Sequence, residues 1–314
     1  MVVSLSAQDV RNLANWPLVI AAIRKGHSLP KADIGDTFVH ARDNTMLVRS
    51  AYIDGLAAGV KAATVVPENP NRSPPLPSVH AQIMLFDPNS GELTALVDGT
   101  EVTAWKTAGD SALGCDLLAR RDVDTLLIAG AGSMAEPLVR AHLSVRPDIK
   151  TVLLWNRSAE RVAVLKDKLG DLPQTIGIEP ELNEAVAKAD VICCATMTKE
   201  PILNGELLKA GTHVDLVGAF KPDMREADDA VHKRGSWFVD SRDTTIDHIG
   251  ELKIPIEQGL IDKNAVVGDL HQLVSGEHGR RSETEITVFK NGGGAHLDIM
   301  VSVALVEAYE QQIG

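Results

Sequence analysis

The rhythm of apolar and polar positions changes near Asp124, and it separates two styles of chain. Before that point the segments are short and alternating. Residues 8–25 have apolar positions at helical spacing and predict one amphipathic helix. Residues 37–42 and 45–52, parted by Asp43-Asn44, predict strand, turn and strand. Residues 60–66 are another strand, and 67–77, rich in Pro and Asn, a loop. Residues 81–87 and 92–97 flank Pro88-Asn89-Ser90-Gly91, which signals a hairpin. A helix over 103–120 follows, with Thr103 placed as its cap.

After Asp124, short apolar runs alternate with helical patterns. Residues 125–129, 151–155, 190–195, 213–217 and 237–240 predict buried strands, and 158–169 predicts a helix. This grammar implies an α/β fold, a Rossmann-type doubly wound parallel sheet with helices on both faces. A final helix over 295–311 sets Leu297, Met300, Val301, Ala304 and Leu305 on one face. The expected organisation is a dinucleotide-binding domain, 119–294, inserted into a smaller α+β domain made of 1–118 and 295–314.

Composition narrows the function. The chain has 31 Lys and Arg against 43 Asp and Glu, a net charge of −12, which disfavours a nucleic-acid partner. No uncharged apolar window approaches the ~18 residues of a membrane span. The start of the sequence has no basic region followed by an apolar run, so no signal peptide is expected. Three cysteines, two of them adjacent, argue against a disulfide framework and for a cytoplasmic location. Their spacing to histidine fits no structural zinc site, and no metal is expected.

The candidate chemistry starts at Gly130-Ala131-Gly132-Ser133-Met134-Ala135, a G-x-G-x-x-A turn between an apolar strand and a helix. The first glycine permits the tight turn and the second lets a pyrophosphate approach the backbone. The third small residue lets the helix lie close to the strand. The helix N-terminus then offers N–H donors to NAD(H) or NADP(H). The next strand ends at Asn156-Arg157-Ser158, without the acid that would hold a free ribose 2′-hydroxyl. Arg157 and Ser158 could receive a 2′-phosphate, which inclines the reading toward NADP(H), although an arginine also suits a solvated helix start. Ala195-Thr196-Met197 follows a buried strand at the sheet edge where cofactors sit.

Several segments together resemble the ornithine cyclodeaminase/μ-crystallin family over nearly the whole chain. They are Gly59-Val60-Lys61, Pro67-Glu68-Asn69, Asp98-Gly99 through Thr103-Ala104-Trp105-Lys106-Thr107-Ala108, and Ser111-Ala112. The glycine turn, Trp155-Asn156-Arg157, Val217-Gly218, Pro222 to Glu226, and Phe289-Lys290 continue the match. The resemblance implies a homodimer acting on small imino or amino acids. It implies Lys61 as an active-site lysine that binds a substrate carboxylate or moves a proton. Lys106 stands where relatives usually have a carboxylate-binding arginine, keeping the charge without the bidentate fork. Thr107, Val217, Gly218, Lys221 and Asn291 match positions near the cofactor. Arg49 is a candidate replacement for a substrate arginine on a neighbouring strand, and His80 is a further substrate candidate.

Phe220 departs most informatively. Cyclodeaminases of the family carry an Asp at this register, and a phenyl ring can neither take a proton nor orient water. The expectation is therefore an NAD(P)H-dependent reductase of an α-imino acid. The substrate is either a cyclic ketimine such as Δ1-pyrroline-2-carboxylate or a linear imino dicarboxylate such as iminosuccinate. The alternatives are a cyclodeaminase, an alanine-type dehydrogenase, or a non-catalytic crystallin-like binding protein.

Overall fold

The computed structural model describes residues 2–313, and the chain divides into two compact units. The first comprises the chain up to Thr107 and from Gly294 onward; the second is Ala108–Gly293.

The first unit contains β1 (Val3–Leu5), α1 (Ala7–Leu13), α2 (Trp16–His27), β2 (Asp33–Ala41), β3 (Asn44–Ile53), β4 (Ala57–Val65), β5 (Val79–Phe86) and β6 (Leu93–Asp98). It also holds the first half of α3 (Gly99–Leu118) and the C-terminal helix Ala295–Ile313. The single helix expected over 8–25 is two helices. Ala14 is extended, and the Asn15 side chain caps α2 by accepting from the Leu18 N–H, with Pro17 in the first turn. Helix α3 begins at Gly99, because the Asp98 carboxylate accepts from the Glu101 N–H at 2.7 Å. Thr103 is thus a helix-interior residue and not the cap.

The six strands are ordered β1-β6-β5-β4-β3-β2, antiparallel except for β1 with β6. Successive side chains along a strand point to opposite faces. On β4, Ala57, Gly59, Lys61 and Ala63 are buried on one face. The C-terminal helix covers that face so closely that a Cβ on Gly59 would lie 2.9 Å from the Ile299 side chain.

The second unit contains β7 (Thr125–Ala129), α4 (Ala135–Val145), β8 (Thr151–Trp155), α5 (Ala159–Lys168), β9 (Thr175–Ile178), α6 (Leu182–Lys188), β10 (Val191–Cys194) and β11 (His213–Leu216). It continues with α7 (Asp229–Arg234), β12 (Ser236–Val239), α8 (Arg242–Thr245), α9 (Gly250–Glu257), β13 (Val266–Asp269), α10 (Leu270–Ser275) and β14 (Thr287–Lys290). All eight strands are parallel, ordered β13-β12-β14-β11-β10-β7-β8-β9. The chain leaves β7 toward β8 and β9, then returns to place β10 on β7's other side. That reversal is a topological switch point, and the crevice beyond its strand ends is where such sheets bind ligands. The second half of α3 belongs to this unit: Ala112, Leu113, Cys115 and Leu118 are fully buried, and Gly114 lies against the Phe289 ring. The units therefore part between Thr107 and Ala108, ahead of the 118/119 boundary expected from the pattern.

Candidate functional site

In the second unit, β7 ends in the glycine turn. Gly130 has φ +128°, a conformation open to glycine, and a Cβ there would lie 2.5 Å from the Ala195 carbonyl oxygen. Its N–H donates to the Trp155 carbonyl at 2.8 Å, which ties the turn to the end of β8. Gly132 and Ser133 are exposed, and nothing lies within 4 Å of a Cβ built on Gly132. Met134 precedes α4 and supplies no side-chain cap, so no side chain at the helix start competes with an anion for its N–H groups. Ala135 is fully buried, as the third small position of the motif requires. The turn thus fits a pyrophosphate.

At the end of β8, Asn156 is half-buried and its amide donates to the Ser158 carbonyl at 3.4 Å. Ser158 caps α5 by accepting from the Arg161 N–H at 3.4 Å. Arg157 is exposed. A recess here is lined by Ala131, Ser158, Glu160, Arg161 and Val164.

On the other side of the switch point, the loops after β10 and β11 lie together. Ala195 N–H donates to the Ala129 carbonyl and Val217 N–H to the Cys194 carbonyl, both at 2.8 Å. Thr196 and Gly218 meet through the buried Glu226 carboxylate, which accepts from both backbone N–H groups and from the Thr196 hydroxyl. Burial pushes Glu226 upward in pKa, while the Lys290 ammonium opposes that shift. Glu251 supports Glu226 from behind by accepting from the Glu226 and Ala227 N–H groups. Burial first, and the Glu226 charge second, push Glu251 up to about 7. Lys290 is fully buried and donates to the Leu216 and Asn291 carbonyls. Asn291 is buried and its amide donates to Ser111 Oγ at 3.0 Å. Met197, Phe220 and Lys221 are exposed, with the Lys221 ammonium 5.5 Å from the Phe220 ring centre.

In the first unit, Lys61 is buried on the helix-covered face of β4. Its ammonium donates to Asp298 Oδ1 at 2.9 Å and to Thr103 Oγ1 at 2.5 Å. Lys106 is buried and Thr107 half-buried; both share the Thr103 face of α3, at the i+3 and i+4 positions. Arg49 lies directly opposite Lys61 across β3 and β4, on the same face. Its guanidinium is engaged by Asp36 on β2, with contacts of 3.1, 3.1 and 2.9 Å. His80 is exposed and pairs with Thr64, out of phase with Lys61, so it points to the other face of the sheet. It does not join Lys61, because strand alternation separates them. Asp298 lies outside the segments that carry the resemblance, and Glu226 lies in one of them, Pro222 to Glu226, without a role of its own. Asp298 is an acid at the start of an otherwise apolar helical stretch, and that contrast was the available signal.

A buried trio also went unread. Cys193 donates to Asp215 Oδ2 at 3.2 Å, and His142 Nε2 lies 3.5 Å from the same oxygen. All three are fully buried within the parallel-sheet unit. Burial raises Cys193 and Asp215 and lowers His142 in pKa, so each is driven toward its neutral form.

The chain belongs to the ornithine cyclodeaminase/mu-crystallin family, whose model matches residues 17–312. It is 47% identical over 299 residues to a Delta(1)-pyrroline-2-carboxylate reductase of Paracoccus denitrificans, covering 95% of this chain and 94% of that one. Its fold is similar to that of the Thermococcus litoralis Delta(1)-pyrroline-2-carboxylate reductase solved with NADH and L-proline. The TM-score is 0.90 at 30% identity, over 99% and 98% of the two chains. It is also similar to the iminosuccinate reductase of P. denitrificans solved with NAD+. That TM-score is 0.91 at 27% identity, over 99% and 97%.

Proposed function

We propose that this family member is an NAD(P)H-dependent reductase that converts the cyclic imine Δ1-pyrroline-2-carboxylate to proline. The observation that carries the reading is the 47% identity, over 95% of the chain, to a relative of that name. When bound, the nicotinamide supplies a hydride to the imine carbon. The glycine turn and the start of α4 hold the pyrophosphate. Lys61 supplies the proton for the imine nitrogen, and Asp298 holds its ammonium in place through the 2.9 Å contact. Lys106 provides positive charge for the substrate carboxylate. Arg49 is taken up by Asp36, which leaves the cations of this face suited to one carboxylate rather than two. A monocarboxylic cyclic imine is thereby favoured over iminosuccinate. Phe220 offers no proton acceptor of the kind deamination requires.

Asn156 in place of an acid, with Arg157 exposed beside it and Arg161 lining the recess, favours NADPH over NADH. The exposed apolar residues of the β2–β3 hairpin favour a homodimer. Three buried thiols outside any disulfide suit a cytoplasmic setting. Among the described residues no helix is long and apolar enough to cross a membrane.

The test follows NAD(P)H absorbance with preformed Δ1-pyrroline-2-carboxylate, with oxaloacetate plus ammonia, and with ornithine alone. The expected result is rapid NADPH oxidation with the cyclic imine, slower oxidation with NADH, and proline as product. Faster turnover with oxaloacetate plus ammonia would move the assignment to the dicarboxylate. Ammonia release from ornithine without net cofactor change would move it to a cyclodeaminase, and no oxidation with any imine would end the reductase reading.

A further inference from the structure

We infer that Glu226 is a positioning residue for the nicotinamide half of the dinucleotide, acting by clamping together the two loops that follow β10 and β11. The inference rests on the dinucleotide reading above. Parallel strands that end at the switch point leave backbone N–H groups without a strand partner. Here one side chain collects them. Glu226 Oε1 accepts from the Thr196 N–H at 2.8 Å and the Thr196 hydroxyl at 2.7 Å. Oε2 accepts from the Gly218 N–H at 2.7 Å and the Ala219 N–H at 3.3 Å. Each oxygen serves one loop, so the separation of the loops is set by the width of one carboxylate.

The clamp is fixed at its base as well. Glu226 is fully buried, and its own N–H donates to Glu251 Oε2 at 2.7 Å, with Ala227 N–H on Oε1 at 3.0 Å. The loops are pressed together: a Cβ on Gly218 would collide with the Thr196 backbone. A buried carboxylate is tolerated only when donors satisfy it, and four donors do so here. These loops lie on the far side of β7 from Asn156, the side that receives the nicotinamide half of a dinucleotide crossing the switch point. Holding them in place before the ligand arrives reduces the ordering that binding must supply.

The test is Glu226→Gln, which keeps the size of the side chain and turns one acceptor into a donor facing N–H groups. The expected result is a rise in the NADPH Kd and KM of about tenfold or more, with kcat at saturating NADPH within about threefold of wild type. A purely structural role would lower the unfolding temperature and leave the NADPH Kd of the folded variant within about twofold, and that outcome overturns the inference. Should the variant not fold, amide hydrogen exchange on the wild-type protein without dinucleotide decides. Slow exchange at Thr196, Gly218 and Ala219 supports the clamp, and exchange at the rate of open-loop amides overturns it. Wild-type protein that bound neither NADH nor NADPH would instead sink the dinucleotide reading itself, which separates the two failures.

Discussion

Lys61, proposed above as the proton donor, is a buried lysine on the covered face of the first unit's sheet. A lysine on the covered face of a sheet is unfavourable unless its charge is met, and Asp298 and Thr103 meet it. Asp298 Oδ2 is buried and has no hydrogen-bond partner among the described residues, so the carboxylate depends on Lys61. Lys61→Met keeps the length and removes the proton. It is expected to lower kcat/KM about a hundredfold or more. It also leaves a buried carboxylate unpaired, at a cost of about 3–5 kcal/mol seen in thermal unfolding. Adding Asp298→Asn should recover most of the stability and none of the activity. Wild-type turnover by Lys61→Met would remove Lys61 from the mechanism. The lysine was legible in Gly59-Val60-Lys61, whereas its partner lies 237 residues further on, in a helix read only for its apolar face. Arg49 shows the opposite case. Its partner Asp36 is 13 residues away, yet the turn expected at Asp43-Asn44 would set Phe38 opposite Arg49; the turn lies one residue earlier, at Arg42-Asp43, and that shift brings Asp36 there. Pairing arithmetic reaches Asp36 only when the turn is placed to the residue, because a one-residue slip changes every partner.

Among the elements, α9 shows how a short helix can govern the loops. Its Glu251 is the base on which Glu226 rests, and burial together with the Glu226 charge raises it from 4.5 to about 7. Between those values the folded chain holds a proton here that the unfolded chain has released. Stability contributed through this group is therefore greatest at or below the unfolded value and falls as pH rises to about 7, by on the order of 3 kcal/mol. Glu251→Gln cannot titrate, so its stability relative to wild type should improve as pH rises through that window and level off above it. Unfolding by denaturant at a series of pH values measures the difference, and a gap independent of pH would show that Glu251 does not titrate there. None of this was readable locally. The glycine turn was legible because strand, turn and helix are contiguous, so the phosphate cradle is a property of one segment. The Glu226 clamp joins the ends of two strands to an acid beyond both, and only the assembled sheet brings them together. Strands β13 and β14 were also missed as elements: each holds only two consecutive apolar residues, Val266-Val267 before Gly268 and Val288-Phe289 between Thr287 and Lys290, and they are fixed by pairing with β12 and β11.

For the whole molecule, charge and apolar surface pull in opposite directions. A net charge of −12 makes two copies repel, so a dimer must be held by buried apolar area. The available area lies at the sheet edge. β2 is an edge strand of nine residues, and its Phe38 and Val39 are more than half exposed, with Met46 of β3 also exposed beside Val39. An edge strand that exposes Phe38 and Val39, with neither lysine nor proline in it, leaves its backbone groups open to pairing with another chain. A second copy is the occupant proposed here, and it would keep the sheet from pairing indiscriminately. Phe38→Glu places a like charge where apolar contact is required. It should raise the dimer Kd about a hundredfold or more, shifting the mass in light scattering toward the 33.6 kDa of one chain. Because the opposing force is long-range repulsion, added salt should tighten the wild-type dimer by screening it, and should do little for an interface held by exposed ion pairs except weaken it. A wild-type chain that runs at 33.6 kDa at every salt concentration would show that this edge stays uncovered by a second copy.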